Sequence, residues 1–438
     1  MLPPVMDNLY KKLKAKRGSR DGPSFVAEQR KKSTSLSSLI SEDFYVRQKS
    51  NSVMITPKGW CDDILIQNQE HRHSESHQKK KIPNFLDYDR VLRDEKKEFD
   101  FRLSNIPEPS GKLDDYIICK KLGSGQFGKV YLVQDFMDRK HHALKMISKD
   151  VILRNNLKKD VEAERDYLYA TNSPFIVSLI HHFEDAKAVF FVEEYLSNGD
   201  IYEQLKQNGP FNEELTKFYS SQVVLALEYL HNVNLIYRDL KPENVMLTSD
   251  GYIKLVDLGF VKRVTTKTST MVGTPAYMAP ELILHKSYDK NIDWWALGIL
   301  VYEMLAGIQN TPFADADRMV MYEKITSKEV TFSNKFPHTV VRDLIKRLLK
   351  VNPSVRLGSG SNGSKDVKNH PWWSSLKWND IYRRNVAPPS KSNSMYAKAN
   401  TNRGHKHSKL NGLGVTPSRP VDLNRLKLEK MIKMELNF

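Results

Sequence analysis

Cysteine is almost absent from this chain. Only Cys61 and Cys119 occur in 438 residues, far apart and without the spacing of a metal site. This excludes a disulfide scaffold or zinc module and points to a reducing intracellular compartment. Long apolar runs are missing too: no stretch of ~18 apolar residues is found, the length that spans a bilayer. The opening MLPPVMDNLYKKLKAKRG has no apolar signal core. Its second residue is Leu2 rather than the glycine that N-myristoylation requires, so that anchor is not expected. There are no internal repeats. The expectation is a soluble cytoplasmic chain, with nuclear import through the basic stretch Lys11 to Arg17, or contact with an anionic membrane surface, as the further readings of its charge.

Positive charge is in excess, and the tails hold most of it. The formal net charge is +16. Residues 1–83 contain 16 Lys and Arg against 9 Asp and Glu, and residues 388–438 contain 10 against 3, which leaves the middle nearly neutral. The tails are rich in Ser, Asn and Lys, with no aromatic interleaving and no recognised nucleic-acid module, so solvated tails are expected and nucleic acid is not an expected partner. Residues 1–83 read as a basic, disordered extension. From Asn84 the pattern changes. Phe85, Tyr88, Leu92, Phe99 and Leu103 recur at helical spacing until Pro107 and Pro109, which predicts an amphipathic helix and linker over 84–111.

The chemistry is concentrated in the neutral middle. Residues 237–259 contain YRDLKPENV followed by LVDLG, placing Asp239, Lys241, Asn244 and Asp257 in order. Phosphoryl transfer needs this set: a carboxylate to orient the attacking hydroxyl, a cation on the moving phosphate, and an amide and a carboxylate as hard oxygen ligands for Mg²⁺. Upstream, LGSGQFGKV sets Gly123, Gly125 and Gly128 between two strand-like runs. A dinucleotide-binding turn would open a helix, whereas β-branched and aromatic residues resume here at once, which favours a glycine-rich hairpin over phosphates. Lys145 follows within an apolar run. Nineteen residues later, Glu164 lies on a helical stretch whose apolar face includes Val161 and Leu168.

With these motifs in place, the chain resembles the eukaryotic protein kinases, and within them the AGC group of serine/threonine kinases, nearest the catalytic subunit of the cAMP-dependent enzyme. The resemblance covers about residues 84–387 and includes YRD in place of HRD, KPEN, the DWWALG run from Asp293 to Gly298, and the tryptophans at Trp372 and Trp373. It implies an α+β, two-lobed fold. The small lobe, 116–195, would be an antiparallel sheet with one helix, and the large lobe, 196–373, mostly helical. A divergent C-terminal tail would occupy 374–438. The catalytic unit is expected to be monomeric.

The resemblance also implies ATP and Mg²⁺ as cofactors and protein substrates as partners. Leu122, Gly123, Gly125, Phe127 and Gly128 would cover the nucleotide, while Val130, Ala143 and Met246 sandwich the adenine and Glu194 and Leu196 form the hinge. Lys145, paired with Glu164, would hold the phosphates, with Asp239, Lys241 and Thr274 at the reacting hydroxyl and Asn244 and Asp257 at the metal. Glu281 would pair with Arg356, and Asp293 would hold the catalytic-loop backbone. Leu168, Leu179, Tyr237 and Leu258 would stack as a column between the lobes, Leu258 standing where the family has the Phe of DFG.

Regulation and specificity follow the same pattern, with departures. Thr270 matches the activation phosphosite, with Arg238 and Lys262 as receivers, but Asp160 stands where relatives place a histidine. Asp200, Glu243 and Glu303 match residues that grip arginines before the phosphoacceptor, and Met271, Pro275 and Met278 match an apolar seat after it. RKKS at Ser33 and RQKS at Ser50 are self-made candidate sites. Ser269 replaces a tryptophan that contacts a cAMP-binding regulatory subunit, and no acidic cluster or F-x-x-F is found in the tail, where Tyr396 and Phe438 are the only stand-ins. Glu193 falls at the gatekeeper position behind the adenine. A buried carboxyl there must be protonated, reach water, or capture Lys145. The alternative to an active kinase is therefore a catalytically weak pseudokinase serving as a nucleotide-binding scaffold.

Overall fold

The computed structural model describes residues 85–389 apart from 126, 127 and 338. The expectations for the basic extension, Phe127, Ser33, Ser50, Tyr396 and the C-terminal run ending at Phe438 fall outside the described residues. Helix α1 (Phe85–Ser104) comes first. Tyr88 and Phe99 are buried on one stripe, while Arg90 and Asp94 pair on the solvent side at i,i+4 spacing. The Tyr88 hydroxyl donates to Glu228 (2.7 Å), and Arg102 donates to the Tyr169 carbonyl (2.5 Å).

Five strands then form one antiparallel sheet: β1 (Tyr116–Ser124), β2 (Lys129–Asp135), β3 (His141–Ser148), β4 (Leu179–Glu184) and β5 (Ala188–Glu194), in the order β1-β2-β3-β5-β4. Inward residues alternate along each strand, as a half-buried sheet requires. Tyr131 and Val133, Leu144 and Met146, and Phe190 and Val192 meet Tyr116, Ile118 and Phe183 in a single core. Two helices, not the one expected, lie between β3 and β4. α2 (Lys149–Arg154) precedes α3 (Lys158–Ala170). α2 makes fewer than two turns and buries only Ile152, too few positions for an apolar repeat to show in sequence. α3 shows that repeat plainly, burying Val161, Glu164 and Leu168 along one face.

The large lobe contains α4 (Ile201–Asn208), α5 (Glu213–Asn232), β6 (Leu235–Ile236), β7 (Val245–Leu247), β8 (Ile253–Leu255) and β9 (Lys262–Arg263). After these come α6 (Pro280–Ile283), α7 (Asn291–Ala306), α8 (Arg318–Ser327), α9 (Val341–Leu348), α10 (Ser364–Lys368) and α11 (Trp378–Tyr382). α7 is apolar on nearly every side and buried almost throughout, as a central helix must be. α5 starts on Asn212, whose side chain accepts from the Leu215 N–H (2.9 Å) and so satisfies an otherwise unpaired helix donor. Two short ladders, β6 with β9 and β7 with β8, sit on this helical base. They set the placement of the chemistry, because the loop from β6 to β7 carries Asp239, Lys241 and Asn244, and the loop from β8 to β9 carries Asp257. No helix among the described residues is long and apolar enough to cross a membrane.

The Arg356 guanidinium donates to both oxygens of Glu281 (2.7 and 2.9 Å) and to the Asn291 and Lys350 carbonyls. The pair is fully buried, and the guanidinium also lies over the Trp295 ring. Removing only one partner leaves an uncompensated buried charge. Glu281→Ala is accordingly expected to lower stability by about 3–5 kcal/mol, seen as a fall in the urea midpoint with little change in slope. A loss under about 1 kcal/mol, the range of an exposed pair, would show that the pair does not hold the lobe.

Candidate active site

The site is built outward from one carboxylate. Asp293, in the first turn of α7, accepts from the backbone N–H groups of Tyr237 (3.0 Å) and Arg238 (2.9 Å). His231 at the end of α5 lies 2.8 Å from the same carboxylate through Nε2. These bonds hold Arg238 at φ +71°, a left-handed conformation that an arginine adopts only where its surroundings fix it. Gly273, at φ +108°, packs against this loop so closely that an added Cβ would come within 2.8 Å of the Arg238 carbonyl oxygen.

The loop delivers Asp239 buried, with both oxygens engaged. Oδ2 accepts from Lys241 (2.7 Å) and Asn244 (2.9 Å), and Oδ1 accepts from the Thr274 hydroxyl (3.0 Å). Lys241 also reaches Thr274 at 3.2 Å. The Asn244 amide nitrogen is committed to Asp239, which leaves the amide oxygen as the atom able to meet a hard cation.

Facing it, Lys145 on β3 donates to Glu164 (2.5 Å) and to Asp257 Oδ1 (3.0 Å). Burial alone would depress the Lys145 pKa, but the Asp257 and Glu164 carboxylates outweigh it and hold the ammonium well above its usual value. Lys145 in turn holds Asp257 below the usual carboxylate range. Asp257 sits at φ +57°, and an added Cβ on the neighbouring Gly259 would crowd both Asp257 and Glu164. The constellation expected from widely separated motifs is therefore gathered in one cleft, and Asp257 and Asn244 supply the oxygen donors suited to Mg²⁺.

Above it, β1 and β2 form the glycine-rich hairpin, where the Gly125 N–H donates to the Gly128 carbonyl (2.8 Å). A Cβ on Gly128 would lie 2.8 Å from the Met146 carbonyl oxygen, so the hairpin can lie against β3 only with glycine there. Gly123 has open space around it. Leu122 is exposed, Val130, Ala143 and Met246 are half-buried, and Leu196 is buried where the chain leaves β5.

Glu193 and Glu194 part company. Glu194 is drawn aside by Lys254 and by the Ser178 N–H (2.8 Å). Glu193 pairs with Ala143 across the sheet and is half-buried. Lys145 spends its bonds on Glu164 and Asp257, so Glu193 has not captured it. Burial pushes the Glu193 carboxyl up to about 8 against the pull of Lys145, with Glu164 and Asp257 adding to the rise. This favours protonation among the three outcomes open to it, while its half-buried position also lets it reach water.

The regulatory and substrate positions are more dispersed. Lys262 lies 3.2 Å from the Thr270 hydroxyl, whereas Arg238 is turned to the Phe260 carbonyl and the Tyr288 hydroxyl. Tyr288 donates to the Thr270 carbonyl (2.5 Å), a link that nothing local in the sequence signals. Asp160 is exposed on α3. Asp200 caps α4 by accepting from the Glu203 N–H (2.8 Å), and Glu243 is exposed. Glu303 is buried beneath them, bonded to the Tyr277 hydroxyl and the Gln309 N–H (2.7 Å). Burial raises its carboxyl to about 7, with the nearby Glu243 charge adding to the rise. Met271 and Pro275 are half-buried, while Met278 is buried below them.

The family model described as a protein kinase domain matches residues 116–373. Among curated proteins, the chain is similar to the cAMP-dependent protein kinase catalytic subunit of Dictyostelium discoideum, 41% identical over 273 residues. That match takes in 62% of this chain and 42% of the relative, so it spans less than half of the other protein. Saccharomyces cerevisiae cAMP-dependent protein kinase type 3 is 41% identical over 284 residues, covering 64% of this chain and 71% of the relative. Drosophila melanogaster cAMP-dependent protein kinase catalytic subunit 2 is 39% identical over 306 residues, covering 69% and 86%.

Glu193 generates a pH prediction. Its folded pKa, about 8, lies above the ordinary 4.5, so between those values the native state holds a proton that the unfolded chain releases. The stability this provides is present in full below about pH 4.5 and lost as pH rises toward 8. Urea unfolding at pH 6 and pH 9 should show a larger loss for the wild type than for Glu193→Gln. Equal losses would mean that Glu193 is already ionised at neutral pH.

Proposed function

Because this chain belongs to the protein kinase family, we propose that it transfers the γ-phosphoryl of ATP to serine or threonine hydroxyls in proteins, at sites preceded by arginine and followed by an apolar residue. The carrying observation is Asp239, buried and held on both oxygens by Lys241, Asn244 and Thr274, across the cleft from the Lys145–Asp257 pair.

Bound Mg-ATP would supply the transferable phosphoryl group and the metal's neutralising charge. Asp239 accepts a hydrogen bond from the incoming hydroxyl, orienting its lone pair at phosphorus and taking its proton as the bond forms. Lys241 faces the phosphoryl oxygens from the same loop, and Thr274 fixes both side chains relative to the segment around Thr270, residues 265–281, which serves as the activation segment. Lys145, kept charged by Glu164 and Asp257, positions the phosphates farther from the reaction. Asp257 and Asn244 would hold the metal through oxygen. The glycine-rich hairpin covers the phosphates and excludes water.

Specificity comes from charge. Asp200 and Glu243 are the acids open to a substrate, and a carboxylate pairs with guanidinium in a two-point geometry that ammonium lacks. Glu303 is reached only by displacing Tyr277. Met271 and Pro275 offer the apolar contact after the phosphoacceptor. Phosphorylation of Thr270 would place close to two negative charges beside Lys262 and within reach of Arg238. Ser269 presents little apolar surface, so a cAMP-binding subunit docking here would have to find its contact elsewhere.

Transfer of radiolabel from Mg-ATP to an Arg-Arg-Ala-Ser-Leu peptide tests the reading. Asp257→Asn should reduce transfer at least ~100-fold, about 2.7 kcal/mol of barrier, and lysine in place of both arginines should raise KM about tenfold or more. Equal labelling of a peptide flanked by acidic residues would overturn the specificity. Equal rates for wild type and Asp257→Asn would overturn the catalytic assignment.

A further inference from the structure

A second concavity lies well away from this cleft, between α1, the C-terminal end of α5 and the turn leading into α10. Its volume is about 340 Å³, toward the lower end of the range for small-molecule sites. Its walls are polar and unevenly charged. Arg93 from α1 and Lys290 from just before α7 both line it, and neither side chain has an ion-pair or hydrogen-bond partner among the described residues. The floor is the loop Ser361-Asn362-Gly363-Ser364. The Lys290 ammonium lies over this loop, 4.0 Å from where a Cβ on Gly363 would stand.

The acids on the wall do not cancel these cations. Glu228 is already neutralised by Lys368 at 2.7 Å, both nearly inaccessible to solvent, and accepts further bonds from Tyr88 and Ser364. Asp89 pairs with Lys365 at 2.9 Å, but both side chains are substantially exposed. An exposed pair of this kind is weak, so an incoming anion can compete for Lys365. The Ser364 hydroxyl and the Asn362 amide are spent on Glu228 and Asp366, so the cations Arg93 and Lys290, with Lys365 beside them and the Ser361 hydroxyl on the floor, are what an anion with several acceptor oxygens and more than one charge would meet. A phosphate monoester has both, whereas a single carboxylate would leave part of the charge unmet.

We propose that this cavity binds a small phosphate-bearing molecule, about the size of a sugar phosphate. The site shares no residue with the nucleotide cleft, so the proposal stands apart from the catalytic reading.

Calorimetric titration of the full-length chain tests it, with the adenine pocket saturated by adenosine and ionic strength held constant. Glucose 6-phosphate and inorganic phosphate are the two probes, and their relative affinity tells a sugar phosphate from the free ion. At least one should bind with unit stoichiometry. Arg93→Ala with Lys290→Ala should weaken that binding at least tenfold while leaving peptide phosphorylation unchanged. Lys97→Ala with Lys206→Ala, an equal loss of charge elsewhere, should leave it intact. Asp89→Asn, which removes a carboxylate from the wall, should tighten it severalfold. Absence of binding by both probes, equal weakening by the control pair, or binding that survives loss of Arg93 and Lys290 would each overturn the proposal.

Discussion

The Asp293 carboxylate is the contact on which the catalytic geometry depends. It is buried, belongs to a long helix enclosed almost throughout, and holds two consecutive backbone N–H groups of the loop that carries Asp239. Without it, the left-handed Arg238 would have little reason to persist, and Asp239 would lose the orientation that lets one carboxylate receive Lys241, Asn244 and Thr274. Rigidity is thus passed from the core to the Asp239 loop through hydrogen bonds to main chain rather than through the side chains of Asp239, Lys241 and Asn244. Those side chains stay available for substrate.

Charge in the cleft is arranged as a balance, not as isolated pairs. Lys145 serves two carboxylates, and a third, Glu193, stands near it with its carboxyl pushed up to about 8 by burial. Were Glu193 ionised, three negative groups would share one ammonium, and a nucleotide's phosphates would add to them. The raised Glu193 pKa eases that conflict, and the Lys145–Glu164 pair is intact. An acidic residue at this position is therefore compatible with the constellation, although its type alone suggested interference.

How much could be read from the sequence depended on distance along the chain. Asp239, Lys241 and Asn244 fall within one short loop, and each residue type there matches a distinct chemical need, so the spacing alone marked them as one group, and the structure brings their side chains together. The two faces of α3 were legible for the same reason, through a repeat long enough to register. α2 was missed because a helix of under two turns leaves no periodic trace. Contacts between distant segments were equally hidden. Nothing near Glu194 indicates that Lys254 will claim its side chain, and nothing near Tyr88 indicates Glu228 and Lys368, because those partners are chosen by the packing of whole helices. Met278 and Glu303 show a related limit, since a motif gives a position in the chain but not its depth.

Helix α1 bears on how the two lobes can move. Tyr88 is fastened to the large lobe and Arg102 to the small one, and the helix between them makes a strut about 21 Å long. A third fastening joins Asp100 to Arg263, just ahead of the activation segment (2.7 Å). A stiff rod pinned at both ends cannot lengthen, so the lobes cannot simply part. A swing about the rod, in the manner of a door on its pin, would open the cleft at the edge farthest from it. Nucleotide would then enter and leave by that edge, and the swing would carry the first residues of the activation segment along with it.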